Sequence, residues 1–209
     1  MADSRTKVRA VRTKILIPTH QKRHQALMMA KVVVRTKTLM HRNRLKNKKQ
    51  SRKPMSKPMK YLVIHCTATP EGREVSSAEI RRWHTSPPPV GRGWKQIGYT
   101  DLFHLDGKIE RLVDNNEDAQ VDPWEMTNGA AGYNSVSRHI VYVGGCNNKT
   151  MQPKDTRTEA QREALKRYVV DFHHRFPQIR IVGHHELNPS KACPSFDVQA
   201  WLREIGIKQ

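Results

Sequence analysis

The chain has 209 residues, with 38 Lys and Arg against 19 Asp and Glu, a formal net charge of +19 and 36% hydrophobic residues. The charge is lopsided: residues 1–60 hold 19 of the basic residues and one acid, Asp3, whereas residues 61–209 are close to neutral. Three cysteines, Cys66, Cys146 and Cys193, are too few for a disulfide framework, and no apolar run approaches the ~20 residues of a membrane span.

Residues 1–58 contain no Phe, Tyr or Trp and a self-repelling density of Lys and Arg. Such a segment buries too little apolar surface to offset its ordering entropy. It is expected to be mostly disordered, with a short helix near Thr19–Ala30. Three readings of this tail stay open. It could bind anionic polymers, whether nucleic acid through counterion release or anionic lipid and wall polymer through the same electrostatics. It could be a plain solvated tail. It could also precede the true start, because Met55 and Met59 stand just before "KYLVIHCTAT". No stable nucleic-acid partner is expected for residues 59–209. The first residues also lack the apolar run of ~7–15 residues that a signal peptide needs. The protein is therefore expected to stay in the cytoplasm until another protein opens the membrane.

Residues 59–209 are read as one domain, long enough to bury a sizeable core. "KYLVIHCTAT" (60–69) reads as a buried strand with His65 at its end. Ser76 and Glu79 form a capping box for a helix whose face carries Ile80, Trp83 and His84. "TSPPPVGRG" (85–93) stops that helix. Residues 97–113 read as a hairpin turning at Asp106-Gly107. "NGAAGYNS" (128–135) is a small-residue loop, and "RHIVYVGG" (138–145) a second buried strand. Residues 156–176 form the clearest helix, capped by Thr158 and Gln161, striped by Leu165, Tyr168, Val169 and Phe172, and ended by Pro177. "RIVGHH" (180–185) reads as a strand that delivers His184, and Asp197 caps a last helix carrying Trp201 and Ile205. Strands alternating with helices, plus a hairpin, give an α/β class with a central mixed sheet flanked by helices.

Two strand ends thus carry histidines, His65 and His184, and Cys193 follows in a Pro-bounded loop. Zinc accepts imidazole and thiolate, and a catalytic zinc keeps three protein ligands and an open fourth position. Residue type alone also fits three core side chains, so both readings stand at this point. Along a strand His185 points to the opposite face from His184, and Cys66 faces away from His65 into the core.

The order of short motifs carries more. "HCTAT" at 65–69, "GY" at 98–99, "GYNS" at 132–135, "VGG" at 143–145 and "HHE" with "KACPSFD" at 184–197 succeed one another along about 150 residues. This pattern resembles the zinc-dependent N-acetylmuramoyl-L-alanine amidases of the phage-lysozyme type, relatives of the peptidoglycan recognition proteins. The resemblance implies a zinc ion in a surface groove, held by His65, His184 and Cys193. It implies Tyr99 and Lys191 as catalytic residues, and as substrate the amide between N-acetylmuramic acid and L-alanine of peptidoglycan. It further implies a monomeric endolysin that acts on the cell wall. The alternative is a non-catalytic peptidoglycan-binding module of the same fold, against which the retained Cys193 speaks. Two departures bear on the groove: Thr100 follows the Gly-Tyr where the family commonly has His, and "NGAAGYN" lacks the histidine often found in that loop. A hydrogen-bond partner for each ligating imidazole is expected, but the sequence names none.

Overall fold

The structure, a computed structural model, describes residues 55–209 together with residues 27–29, 31 and 35. The chain divides into two units, Met1–Lys53 and Pro54–Gln209. In the first, residues 27–29, 31 and 35 are helical, with Leu27, Met28 and Met29 exposed. The disorder expected of the tail otherwise lies outside the described residues. Among those residues no helix is long and apolar enough to cross a membrane.

The second unit begins ahead of the expected boundary at residue 59. Lys57–Pro58 form strand β1, antiparallel to β6, Gln120–Val121. Met59 is buried and its N–H donates to the Ala119 carbonyl at 2.8 Å. A Lys-Pro dipeptide gives no sign of this, because its partner strand, Gln120–Val121, lies far downstream in the sequence.

Five strands make the central sheet, in the order β5-β4-β7-β2-β9. They are β2 (Tyr61–Cys66), β4 (Asp101–Phe103), β5 (Ile109–Arg111), β7 (Ser137–Tyr142) and β9 (Arg180–Gly183). All neighbours run parallel except the β4–β5 hairpin, so the sheet is mixed. The hairpin strands are shorter than the sequence suggests. Gly107 sits at φ +82° in the turn, where Gly costs no steric strain, and His104 and Lys108 close it with a 2.9 Å bond. A second short pair, β3 (Thr69–Pro70) with β8 (Gly145–Cys146), runs parallel at the strand ends.

Alternation along the strands splits the core in two. Leu62, Ile64, Ile140, Tyr142, Phe103 and Ile181 face helices α2 (Glu159–Arg175) and α4 (Val198–Glu204), where Leu165, Val169, Phe172, Trp201 and Leu202 meet them. Leu102 and Val141 face the other way, onto Val75, Ile97 and Ile80 of helix α1 (Ser77–Thr85). Each fully buried side chain of this size contributes about 1.5–3 kcal/mol through burial. The helix starts follow from local chemistry. Ser76 with Glu79 and Thr158 with Gln161 form reciprocal capping boxes, and the Asp197 carboxylate accepts the Ala200 N–H.

Candidate metal centre

His65 lies on β2 with Val63, on the face opposite Leu62 and Ile64, so it points toward the α1 side of the sheet. The parallel register sets Ile64 opposite Gly183, the last residue of β9. His184, next in sequence, therefore arrives at the level of His65, at the carboxyl ends of the strands where open α/β sheets form clefts.

His184 does not extend a strand. It opens a four-residue helix, α3 (His184–Leu187). The Glu186 carboxylate accepts the Gly183 N–H at 2.6 Å and so turns the chain at once. Strand alternation therefore does not place His185, which is nonetheless not grouped with His65, His184 and Cys193. Its N–H and its ring nitrogen Nδ1 both lie within hydrogen-bond distance of the Cys193 carbonyl, at 2.8 and 3.1 Å.

"CPSFD" is anchored residue by residue. The Pro194 carbonyl accepts the Tyr142 hydroxyl at 2.7 Å. Ser195 closes a turn onto Ala192. Phe196 packs edge-on to Trp201, with the Arg157 guanidinium 3.3 Å above its ring. Asp197 caps α4. These contacts fix the Cys193 sulfur, which also receives the backbone N–H of Cys66 at 3.3 Å.

One potential ligand atom from each of His65, His184 and Cys193 lies within 4.8 Å of the others. Nδ1 of His65 is 3.6 Å from the Cys193 sulfur, and the two imidazole centroids are 4.7 Å apart. The opposite edge of His65, Nε2, is taken by Nδ1 of His139 at 3.1 Å. Burial, and then the neighbouring His139, His184 and His84, hold His65 well below the ordinary imidazole value. Burial and the Lys191 charge lower His184 in the same sense. Both rings are thus neutral near pH 7, the form that ligates metal. The adjacent Cys66 thiol and burial push Cys193 up, so a cation binding here displaces a proton from sulfur. Two neutral imidazoles and a thiol suit zinc and leave one corner of a tetrahedron free.

Tyr99 comes from the loop before β4, and its ring centroid lies 5.2 Å from that of His65. Burial, followed by the Cys193 and Cys66 sulfurs, raises its phenol, which stays protonated. The loop is held by His84, whose Nδ1 accepts the Gly98 N–H at 3.1 Å and whose ring lies tilted against Trp94 and edge-on to Tyr99. Lys191 is exposed on the turn before Cys193, where its N–H donates to the Asn188 carbonyl at 3.0 Å. Its charge is felt at both His184 and Cys193. Trp94 is thus part of this aromatic wall, whereas Trp124 is 53% exposed and belongs to no core. Thr100 is buried, its N–H donating to the His139 carbonyl at 2.7 Å.

His84 and His139 were not singled out as site residues. His139 lies in a run of six buried residues, and only the offset between β2 and β7, which pairs Val63 with His139, shows that it faces His65. The signal available was a histidine inside an apolar strand.

A profile of the family described as N-acetylmuramoyl-L-alanine amidase matches residues 55–196. The endolysin of Enterobacteria phage K11 is 34% identical over 140 residues, which cover 67% of this chain and 83% of the relative. Among solved structures, the Ph2119 endolysin from the Thermus scotoductus MAT2119 bacteriophage Ph2119 superposes with a TM-score of 0.54 at 27% identity, covering 73% of this chain and 87% of that one. The amidase LysC of Clostridium intestinale, at 19% identity and a TM-score of 0.55 over 72% of this chain and 87% of that one, shares the fold. The chain belongs to the N-acetylmuramoyl-L-alanine amidase family.

Proposed function

We propose that the protein is a zinc-dependent hydrolase of peptidoglycan, cutting the amide between the lactyl group of N-acetylmuramic acid and L-alanine of the stem peptide, as a phage or prophage endolysin does. The observation that carries this reading is the convergence of His65, His184 and Cys193 within 4.8 Å at the carboxyl ends of the strands. His65 would bind through Nδ1, with His184 and the Cys193 thiolate completing the ligand set. Zinc supplies there a water acidified to near neutrality and a Lewis acid for the scissile carbonyl.

The remaining steps fall to this chain. Lys191, exposed on the turn before Cys193, brings a positive charge beside the site, where negative charge develops on the carbonyl oxygen. Tyr99, kept protonated, serves as a hydrogen-bond donor to the same oxygen rather than as a phenolate base. His84, itself packed on Trp94, holds Tyr99 in place. Peptidoglycan is the substrate and the protein acts as a monomer on the cell wall once lysis begins.

Cys193→Ser tests the reading. A hydroxyl is a poor zinc ligand, so zinc content by mass spectrometry and clearing of purified walls should fall together. Full wall clearing by a zinc-free Cys193→Ser protein would overturn it.

A further inference from the structure

We infer that His139 is a positioning residue for the ligand edge of His65, and that residue 129 is glycine to make room for it. The inference rests on the zinc reading of His65, His184 and Cys193.

The His139 ring is fully buried, and its Nδ1 meets His65 Nε2 at 3.1 Å, the ring planes inclined by 55°. Two neutral imidazoles meeting nitrogen to nitrogen share one proton, so one donates and the other accepts. The direction follows from the opposite edge of His65. Nδ1, 3.6 Å from the Cys193 sulfur, is the nitrogen turned to the ligand cluster and must be bare to hold a cation. The His65 proton then lies on Nε2 and is donated to His139 Nδ1, leaving the proton of His139 on its own Nε2.

That Nε2 is buried and has no hydrogen-bond partner among the described residues. Burying an unpaired donor is unfavourable. Leu or Met would fill the same volume without it, so packing alone does not account for a histidine here. An acceptor aimed at His65 does.

Gly129 gives an independent reason. Its backbone is not in the left-handed region, so conformation does not call for glycine. An ideal Cβ there would lie 2.5 Å from both Cγ and Nδ1 of His139 and 2.8 Å from the Gly98 carbonyl oxygen. The 128–130 loop therefore closes directly over the imidazole, tied down by the Asn128 N–H on the Ile97 carbonyl at 3.0 Å. Gly129 thus lies between the imidazole that meets His65 and the backbone beside Tyr99.

The test is zinc affinity, measured by competition with a chromogenic chelator, with apo-protein melting followed in parallel. His139→Leu keeps the volume and removes the acceptor; its zinc affinity should weaken about 10–100-fold. His139→Asn sets an oxygen where Nδ1 lies and should restore affinity toward wild type. Gly129→Ala, which removes no polar group, should weaken zinc binding by displacing the ring. A purely structural role would lower the melting temperature of all three and leave zinc affinity unchanged, and that result overturns the inference. So does an Asn variant as weak as Leu. If His139→Leu does not fold, long-range proton–nitrogen spectra of the zinc-loaded wild type decide: His139 must be bare at Nδ1, and a proton there contradicts the assignment. Wild type that binds no zinc would instead remove the metal reading itself.

Discussion

The backbone N–H of Cys66 meets the sulfur of Cys193 across 3.3 Å, although 127 residues separate them. The bond comes from the main chain, so it does not depend on the Cys66 side chain, whose thiol lies beside Ser195, Gly145 and the Cys193 thiol that it pushes up. Cys66→Ala should therefore keep one zinc per chain and near-normal turnover. It should lose about 0.5–1.5 kcal/mol of stability, the range for deleting a small buried group. Metal content and denaturant unfolding check both halves.

On the proposed reading Lys191 contributes charge and is not a ligand. Lys191→Ala should retain zinc and the wild-type melting temperature while kcat falls about 10²–10³-fold, by analogy with the loss of one oxyanion donor. A parallel loss of zinc would place Lys191 in a structural role instead.

Arg157 supports the loop that carries Cys193 through the ring of Phe196. Its side chain is 2% exposed, lies over Phe196, and pairs through Nε and Nη2 with the Asp155 carboxylate at 3.0 and 2.9 Å. Asp155→Ala leaves that guanidinium buried and unpaired, apart from its contact with the aromatic rings, and should cost about 3–5 kcal/mol. Guanidinium chloride titration measures the loss.

Two histidines outside the proposed ligand set titrate in opposite senses. Burial, then the Arg92 charge, lower His84 to about 4. The unfolded chain therefore takes up a proton near pH 6.5 that the folded chain refuses, and stability falls as pH drops from about 6.5 toward 4. Protonation also removes the acceptor for the Gly98 N–H and loosens the loop carrying Tyr99. His84→Asn, which keeps an acceptor and does not titrate, should show a shallower acid decline. For His104, burial opposes the charge, but Glu74 and Glu110, each 3.0 Å away, outweigh it and raise the group. Its contribution is complete below about pH 6.5 and is lost as pH rises through the folded value. The melting-temperature gap between wild type and His104→Gln should therefore narrow from pH 6 to pH 8.5.

What could be read in advance was whatever local chemistry decides. The Thr158–Gln161 and Ser76–Glu79 caps, the Asp106-Gly107 turn and the stripe of α2 lie within a few residues of their causes. The grouping of His65, His184 and Cys193 follows from motif order, since nothing local links His65 to Cys193. Misread or unseen were features set by distant pairing. The β1 strand exists because of Val121, and His139 faces His65 because of the β2–β7 register. α3 replaces a strand end because one Glu186 carboxylate captures the Gly183 N–H, a cap too short to show periodicity.

The most direct test of the account is digestion of purified peptidoglycan by the intact protein, with and without a chelator. New N-terminal alanine should appear, stop when the metal is stripped and return on adding zinc. New reducing sugar ends without free alanine, or cleavage untouched by the chelator, would contradict it.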